Sequence, residues 1–162
     1  MSGDSVRSSG RQPRAAAPIP RLTRAEHFWH GVAIGGFAIQ ALTGFVGKYI
    51  FGEVSGWLLL IHMLGAPVFI VGLTATALMW AERCRFSPEA PGGLRCAQKL
   101  MFWVATVLGL VVMAPMLVAM LPLFGYAGQH ALTEIHEVSA LLLLAAMAAH
   151  TLLSLAVRRI GR

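Results

Sequence analysis

Charge is scarce in this sequence: Asp, Glu, Lys and Arg make up 12% of its 162 residues, and only 7 residues are acidic. With 57% hydrophobic residues and a positive mean hydropathy, that is too little polarity for a soluble domain of this length. The expected class is therefore an all-α integral membrane protein. No internal repeat is present, which excludes solenoids and arrays. The first twenty or so residues are rich in Ser, Gly, Arg and Pro and lack an apolar core, so they read neither as a secretory signal nor as a folded unit. Residues 1–22 are expected to form a disordered basic cytoplasmic tail, and 23–162 one four-helix domain.

Four windows contain no charged residue: 28–47, 54–81, 100–133 and 138–157. Each reaches the roughly 20 residues that a helix needs to cross about 30 Å of hydrocarbon. Pro122 and the 125–128 region, with glycine at both ends, should close the third helix and leave a loop before the fourth. The helices are expected near 28–48, 56–81, 99–121 and 133–157. Pro67 and Pro115 fall inside the second and third, where they should kink rather than break.

Of the 13 Lys and Arg residues, all but Lys48 precede the first span, lie between the second and third, or follow the fourth. The positive-inside rule then gives a four-helix transmembrane bundle with both termini cytoplasmic, multi-pass in a bacterial inner membrane. The net charge of +6 records that topology and contact with membrane lipid, and no nucleic-acid partner is expected.

Histidine is the residue that needs explaining. There are 6: His27, His30, His62, His130, His136 and His150. A polar ring inside a span is costly unless it is paired or coordinated, so it marks function by default. Imidazole binds haem iron, zinc and copper. Alternating helix directions put His30 and His150 at one depth, toward the cytoplasm, and His62 and His136 at another, toward the periplasm. Between His136 and His150 the helix rises roughly 21 Å and turns about 40° short of four full turns, so both rings leave nearly one face. One helix can thus serve two cofactors, one above the other. A lone membrane histidine can simply hydrogen-bond across helices; four that pair by depth across three helices point to coordination. Zinc or copper transport would cluster ligands at one depth. His27 and His130 read as interfacial, with His27 the substitute for His30.

A porphyrin needs one axial ligand from each face and a slot between helices. Small residues suited to such a slot are Gly31, Gly35 and Gly36 in helix one, Gly65 and Gly72 in helix two, and Ala140, Ala146 and Ala149 in helix four. The alternative reading of Gly31 and Gly35 is helix packing. Neither Cys84 nor Cys96 stands in a C-x-x-C-H arrangement, which excludes covalent haem attachment, and both lie in the expected cytoplasmic loop, where thiols stay reduced.

Four stretches carry a family resemblance. In "RAEHFWHGVAIGGFAIQALTGF" a histidine precedes a Thr-Gly pair, Thr43–Gly44, whose spacing selects His30 over His27. With it stand "LLLIHMLGAPVF", "AQKLMFWVATVLGLVV" and "IHEVSALLLLAAMAAH". In that order they resemble the di-haem cytochrome b (gamma) subunits of formate dehydrogenases, over about residues 21–157. Where that family has Trp directly after the first ligand, this chain has Gly31, with Trp29 ahead of it.

The resemblance implies two b haems, the cytoplasmic-side one on His30 and His150 and the periplasmic-side one on His62 and His136. It also implies electrons arriving from periplasmic iron–sulfur and molybdenum or tungsten catalytic subunits and passing to a quinone near the cytoplasmic face. Arg24, Lys48 and Lys99 lie at depths suited to haem propionates, with snorkelling the alternative. His27, Glu26 and Gln98 are the polar groups near the expected quinone. Rival expectations are a free-standing di-haem quinone reductase of the superoxide-oxidase kind, and a haem-free membrane anchor.

Overall fold

The computed structural model describes residues 22–86 and 93–160. The tail expected over 1–22 lies outside the described residues except for Leu22. Four helices follow one another: α1 (Arg24–Tyr49), α2 (Gly56–Trp80), α3 (Leu94–Ala119) and α4 (Tyr126–Ile160). All four are long and apolar enough to cross a membrane.

α1 and α4 outrun their uncharged windows at both ends and α3 at its start, because a helix ends at its caps and not where hydrocarbon ends. Thr23 caps α1: its hydroxyl accepts from the Glu26 N–H at 3.2 Å while the Glu26 carboxylate accepts from the Thr23 N–H at 2.6 Å. The start therefore falls at residue 24, not 28. α3 starts at Leu94, behind Gly93 with its φ of +86°, rather than at 99. Arg95 and Lys99 sit in its first turns.

The largest departure is α4, which begins at residue 126 instead of 133 and runs 35 residues, about 52 Å. Pro122 follows the end of α3, but Gly128 does not break the chain. A Cβ there would lie 2.8 Å from the Phe124 side chain, so this glycine admits a tight turn. The Gln129 side chain then donates to the Ala119 carbonyl, joining the new helix to the end of the old one. α2 and α3 run through Pro67 and Pro115 without a break.

The four helices form two tight hairpins, α1–α2 and α3–α4, that touch each other far less. In the first hairpin the backbones meet through glycine. A Cβ on Gly36 would lie 2.6 Å from the Phe69 backbone, and one on Gly72 would lie 2.6 Å from the Ala33 nitrogen. Gly65 faces Ile39 in the same seam. Gly65 and Gly72, expected to line a slot, both lie in this packed seam. Gly31 and Gly35 meet nothing within 4 Å, and they lie about 100° and 140° around α1 from His30. That turns them away from the histidine face.

Buried apolar residues are few: Ala33, Phe69, Phe102, Ala105, Val112, Leu143 and Ala146. Phe69, Ala105, Val112 and Leu143 form the central cluster, with Phe37, Ala140 and Met147 packed against it. Large apolar side chains cover the outside of every helix, as expected of a surface that meets lipid. One end of the bundle gathers Arg24, Arg83, Arg85, Arg95, Lys99, Arg158 and Arg159, and is termed the basic end. The opposite end carries Lys48. Cys84 and Cys96 are both free and half-buried, and burial pushes the Cys84 thiol up.

Candidate functional site

Depth pairing holds at the Lys48 end. The rings of His62 in α2 and His136 in α4 face one another across the seam, their centroids 6.2 Å apart and their planes at 86°. Each ring is held by Nδ1. His136 Nδ1 lies 2.9 Å from the Val112 carbonyl; a carbonyl can only accept, so Nδ1 carries the proton and Nε2 the lone pair. His62 Nδ1 lies 2.8 Å from Thr43 Oγ1. That hydroxyl also donates to the Ile39 carbonyl at 2.6 Å.

Two neighbours complete the cradle. A Cβ on Gly44 would stand 3.2 Å from His62 Cε1. The Gln40 amide, oriented by its hydrogen-bond network, donates to the His62 carbonyl at 2.8 Å and to His62 Nδ1 at 3.0 Å, and accepts from the Ala66 N–H at 3.0 Å.

With Nδ1 protonated, His136 presents Nε2 for a metal. A metal–imidazole bond of roughly 2 Å on each side, plus roughly 1 Å from nitrogen to ring centre, places two axial ligands about 6 Å apart. The observed separation fits that requirement. Among the described residues no three His, Cys, Asp or Glu side chains converge, so the nitrogen set here is a pair.

The basic end is arranged differently. His30 lies against Trp80, centroids 4.7 Å apart and planes at 29°, and makes no hydrogen bond among the described residues. His150 stands within electrostatic range of it. Among the described residues, His150 Nδ1 is buried without a partner, as are Trp80 Nε1 and Thr76 Oγ1. An unmade buried hydrogen bond costs about 1–3 kcal/mol, a penalty that a bound group can relieve.

The remaining expected residues are placed as follows. Ala140 packs on the central cluster and Ala146 is buried, both on α4 between the two histidine levels. Lys48 binds the Glu137 carboxylate at 2.8 Å, joining α1 to α4 beside His136. Lys99 donates to the Arg85 carbonyl, and Arg24 is exposed. Glu26, only 5% exposed, is committed to Thr23 and to Arg83, whose Nε lies 2.8 Å away. Gln98 donates to Ser154 Oγ at 3.2 Å. His27 is exposed, with Nδ1 3.0 Å from the Thr23 carbonyl.

Several residues that shape these sites escaped the sequence reading. Thr43 entered it only as a spacing marker. Gln40, Trp80 and Thr76 carried no signal beyond being polar or aromatic inside spans, and the Val112 carbonyl has no identity in a sequence. The chain matches no protein-family model, no curated protein and no solved structure.

Proposed function

We propose that this chain is a membrane electron-transfer cytochrome b subunit, carrying electrons from a periplasmic iron–sulfur and dehydrogenase partner, by way of two b haems, to a quinone near the cytoplasmic side. His62 and His136 hold one haem, and His30 and His150 the other. The observation that carries the reading is the Lys48-end pair: two rings on opposite hairpins, each with Nδ1 tied back, at the separation of two axial ligands. The unpartnered His150 Nδ1 at the second level supports a further buried group there.

Haem iron supplies reversible one-electron transfer. The chain supplies the ligands and an apolar layer of Phe37, Phe69 and Leu143 between the two levels, which excludes water from the space they share. The basic end faces the cytoplasm of a bacterial inner membrane in this reading, with both termini on that side, because in the sequence all Lys and Arg but Lys48 precede or open α1, lie between α2 and the body of α3, or close the chain. Of the residues assigned to quinone, Glu26 and Gln98 are engaged by neighbours. His27 keeps an uncommitted ring nitrogen among the described residues, and it is the group we assign to proton delivery.

The superoxide-oxidase alternative needs free cations on the outer face to draw in an anion. Lys48 is neutralised by Glu137, which favours the subunit reading.

The test is a pyridine haemochrome assay on the purified chain. Two equivalents of b haem per polypeptide are expected, falling to one in His62→Ala. Colourless protein, or a single equivalent in the unsubstituted chain, overturns the reading.

A further inference from the structure

We infer that Thr76 and Trp80 form a hydrogen-bond site for an acceptor oxygen of the group bound at the basic end, the carboxylate of a haem propionate or the carbonyl of a quinone. The inference rests on the di-haem reading and adds to it the residues that hold the polar edge of what enters there.

Thr76 and Trp80 stand one turn apart on α2, where the buried stripe of Gly65, Phe69, Gly72 and Thr76 comes to its end. Thr76 is 4% exposed. A hydroxyl inside a helix commonly donates to the carbonyl one turn back, and Thr43, Thr106, Ser139 and Thr151 all do so. Thr76 makes no such bond, and its Oγ1 is buried with no partner among the described residues. The Trp80 indole packs against His30 of α1, with ring centroids 4.7 Å apart, and against Phe102 of α3, 5.9 Å away, so its plane is fixed from both helices. Its Nε1–H is likewise buried and unpartnered among the described residues. Trp103, by contrast, donates its own to the Cys84 carbonyl at 3.0 Å.

The chemistry of the pair selects the ligand. An indole N–H can only donate and a threonine hydroxyl can donate as well, so one group rich in lone pairs satisfies both. A carboxylate or a quinone carbonyl is such a group, and a hydrocarbon chain is not. The basic-end residues at depths suited to a propionate are turned elsewhere: Lys99 donates to the Arg85 carbonyl and Arg24 is exposed. Glu26 and Gln98, at depths suited to a quinone, are engaged by Arg83 and Ser154. Thr76 and Trp80 are buried at the His30 level with their donors unspent.

Thr76→Val removes the hydroxyl and keeps its shape, Trp80→Phe removes the N–H and keeps an aromatic face for His30, and Thr76→Ser keeps the hydroxyl. Each variant of the full chain is followed by haem transfer to apomyoglobin and by equilibrium dialysis against decylubiquinone, with His136→Ala supplying the spectrum of the basic-end haem. Where a propionate is the acceptor, that haem is expected to leave Thr76→Val and Trp80→Phe about 10-fold faster than the unsubstituted chain, the effect of one hydrogen bond to a charged group. Thr76→Ser then tracks the unsubstituted chain, and iron etioporphyrin, which carries no propionate, leaves all four proteins at one rate. Where a quinone carbonyl is the acceptor, haem release is unchanged and decylubiquinone binding weakens several-fold in the same two variants. Unchanged haem release together with unchanged decylubiquinone binding overturns the inference and leaves the di-haem reading standing. So does an acceleration that persists with iron etioporphyrin, spreads equally to the Lys48-end haem or appears in Thr76→Ser, each of which marks packing rather than hydrogen bonding. Absence of haem from the unsubstituted chain removes both.

Discussion

At the Lys48 end both imidazoles are anchored through Nδ1, His62 on a hydroxyl and His136 on a backbone carbonyl. At the basic end, His150 Nδ1 is buried with no partner among the described residues, and His30 rests against an indole face. In the first site both rings are held in place by the protein itself, through Nδ1. The second has its rings in place, but their hydrogen-bonding capacity is unspent. A site of the first kind loses little freedom on binding. A site of the second kind is completed by what enters it.

The sharpest way to break this contrast is to remove one ligand at each level. His136→Ala is expected to abolish haem at the Lys48 end and spare the other; His150→Ala should do the reverse, as read by haemochrome stoichiometry. Loss of both haems from either variant would mean that the levels are not independent. Next in size is the order of potentials. A redox titration of the unsubstituted chain should resolve two waves, the lower from the Lys48 end, where His136 donates to a carbonyl oxygen. The reverse order would sink the argument from Nδ1 partners. Trp80→Leu removes the surface against which His30 lies, and should weaken haem retention at the basic end several-fold while the Lys48-end spectrum is unchanged. The smallest effect is expected from Lys48→Met, because its bridge to Glu137 is largely open to solvent. Haem content and thermal midpoint should stay close to those of the unsubstituted chain, and a marked loss of haem would assign Lys48 to a propionate after all.

Much of the architecture was legible from one pattern, uncharged windows of sufficient length, and the depth pairing followed from helix rise and alternating direction. Helix ends were read less well because charges were taken as boundaries. The Thr23–Glu26 capping box was visible as T-x-x-E, yet it lay outside the apolar window that set the first start. Glycine was hard to read for a different reason. Gly36, Gly65 and Gly72 look alike in sequence to Gly31 and Gly35, and only the placement of α2 separates those that bring two backbones together from those that face outward. The two anchors of the Lys48-end pair were legible to different degrees. Thr43 stood in plain view with no partner to suggest its role, whereas the acceptor for His136 is a main-chain oxygen that any residue at position 112 would provide.

One property of the hairpins bears on how such a chain matures. His30 and His62 belong to one glycine-zipped half, His136 and His150 to the other, so every metal bridge in the proposed reading crosses the weakest seam of the bundle. The pigments would then act as rivets as well as wires. Two separately made halves, parted between residues 86 and 93, should drift apart in detergent until iron porphyrin is supplied.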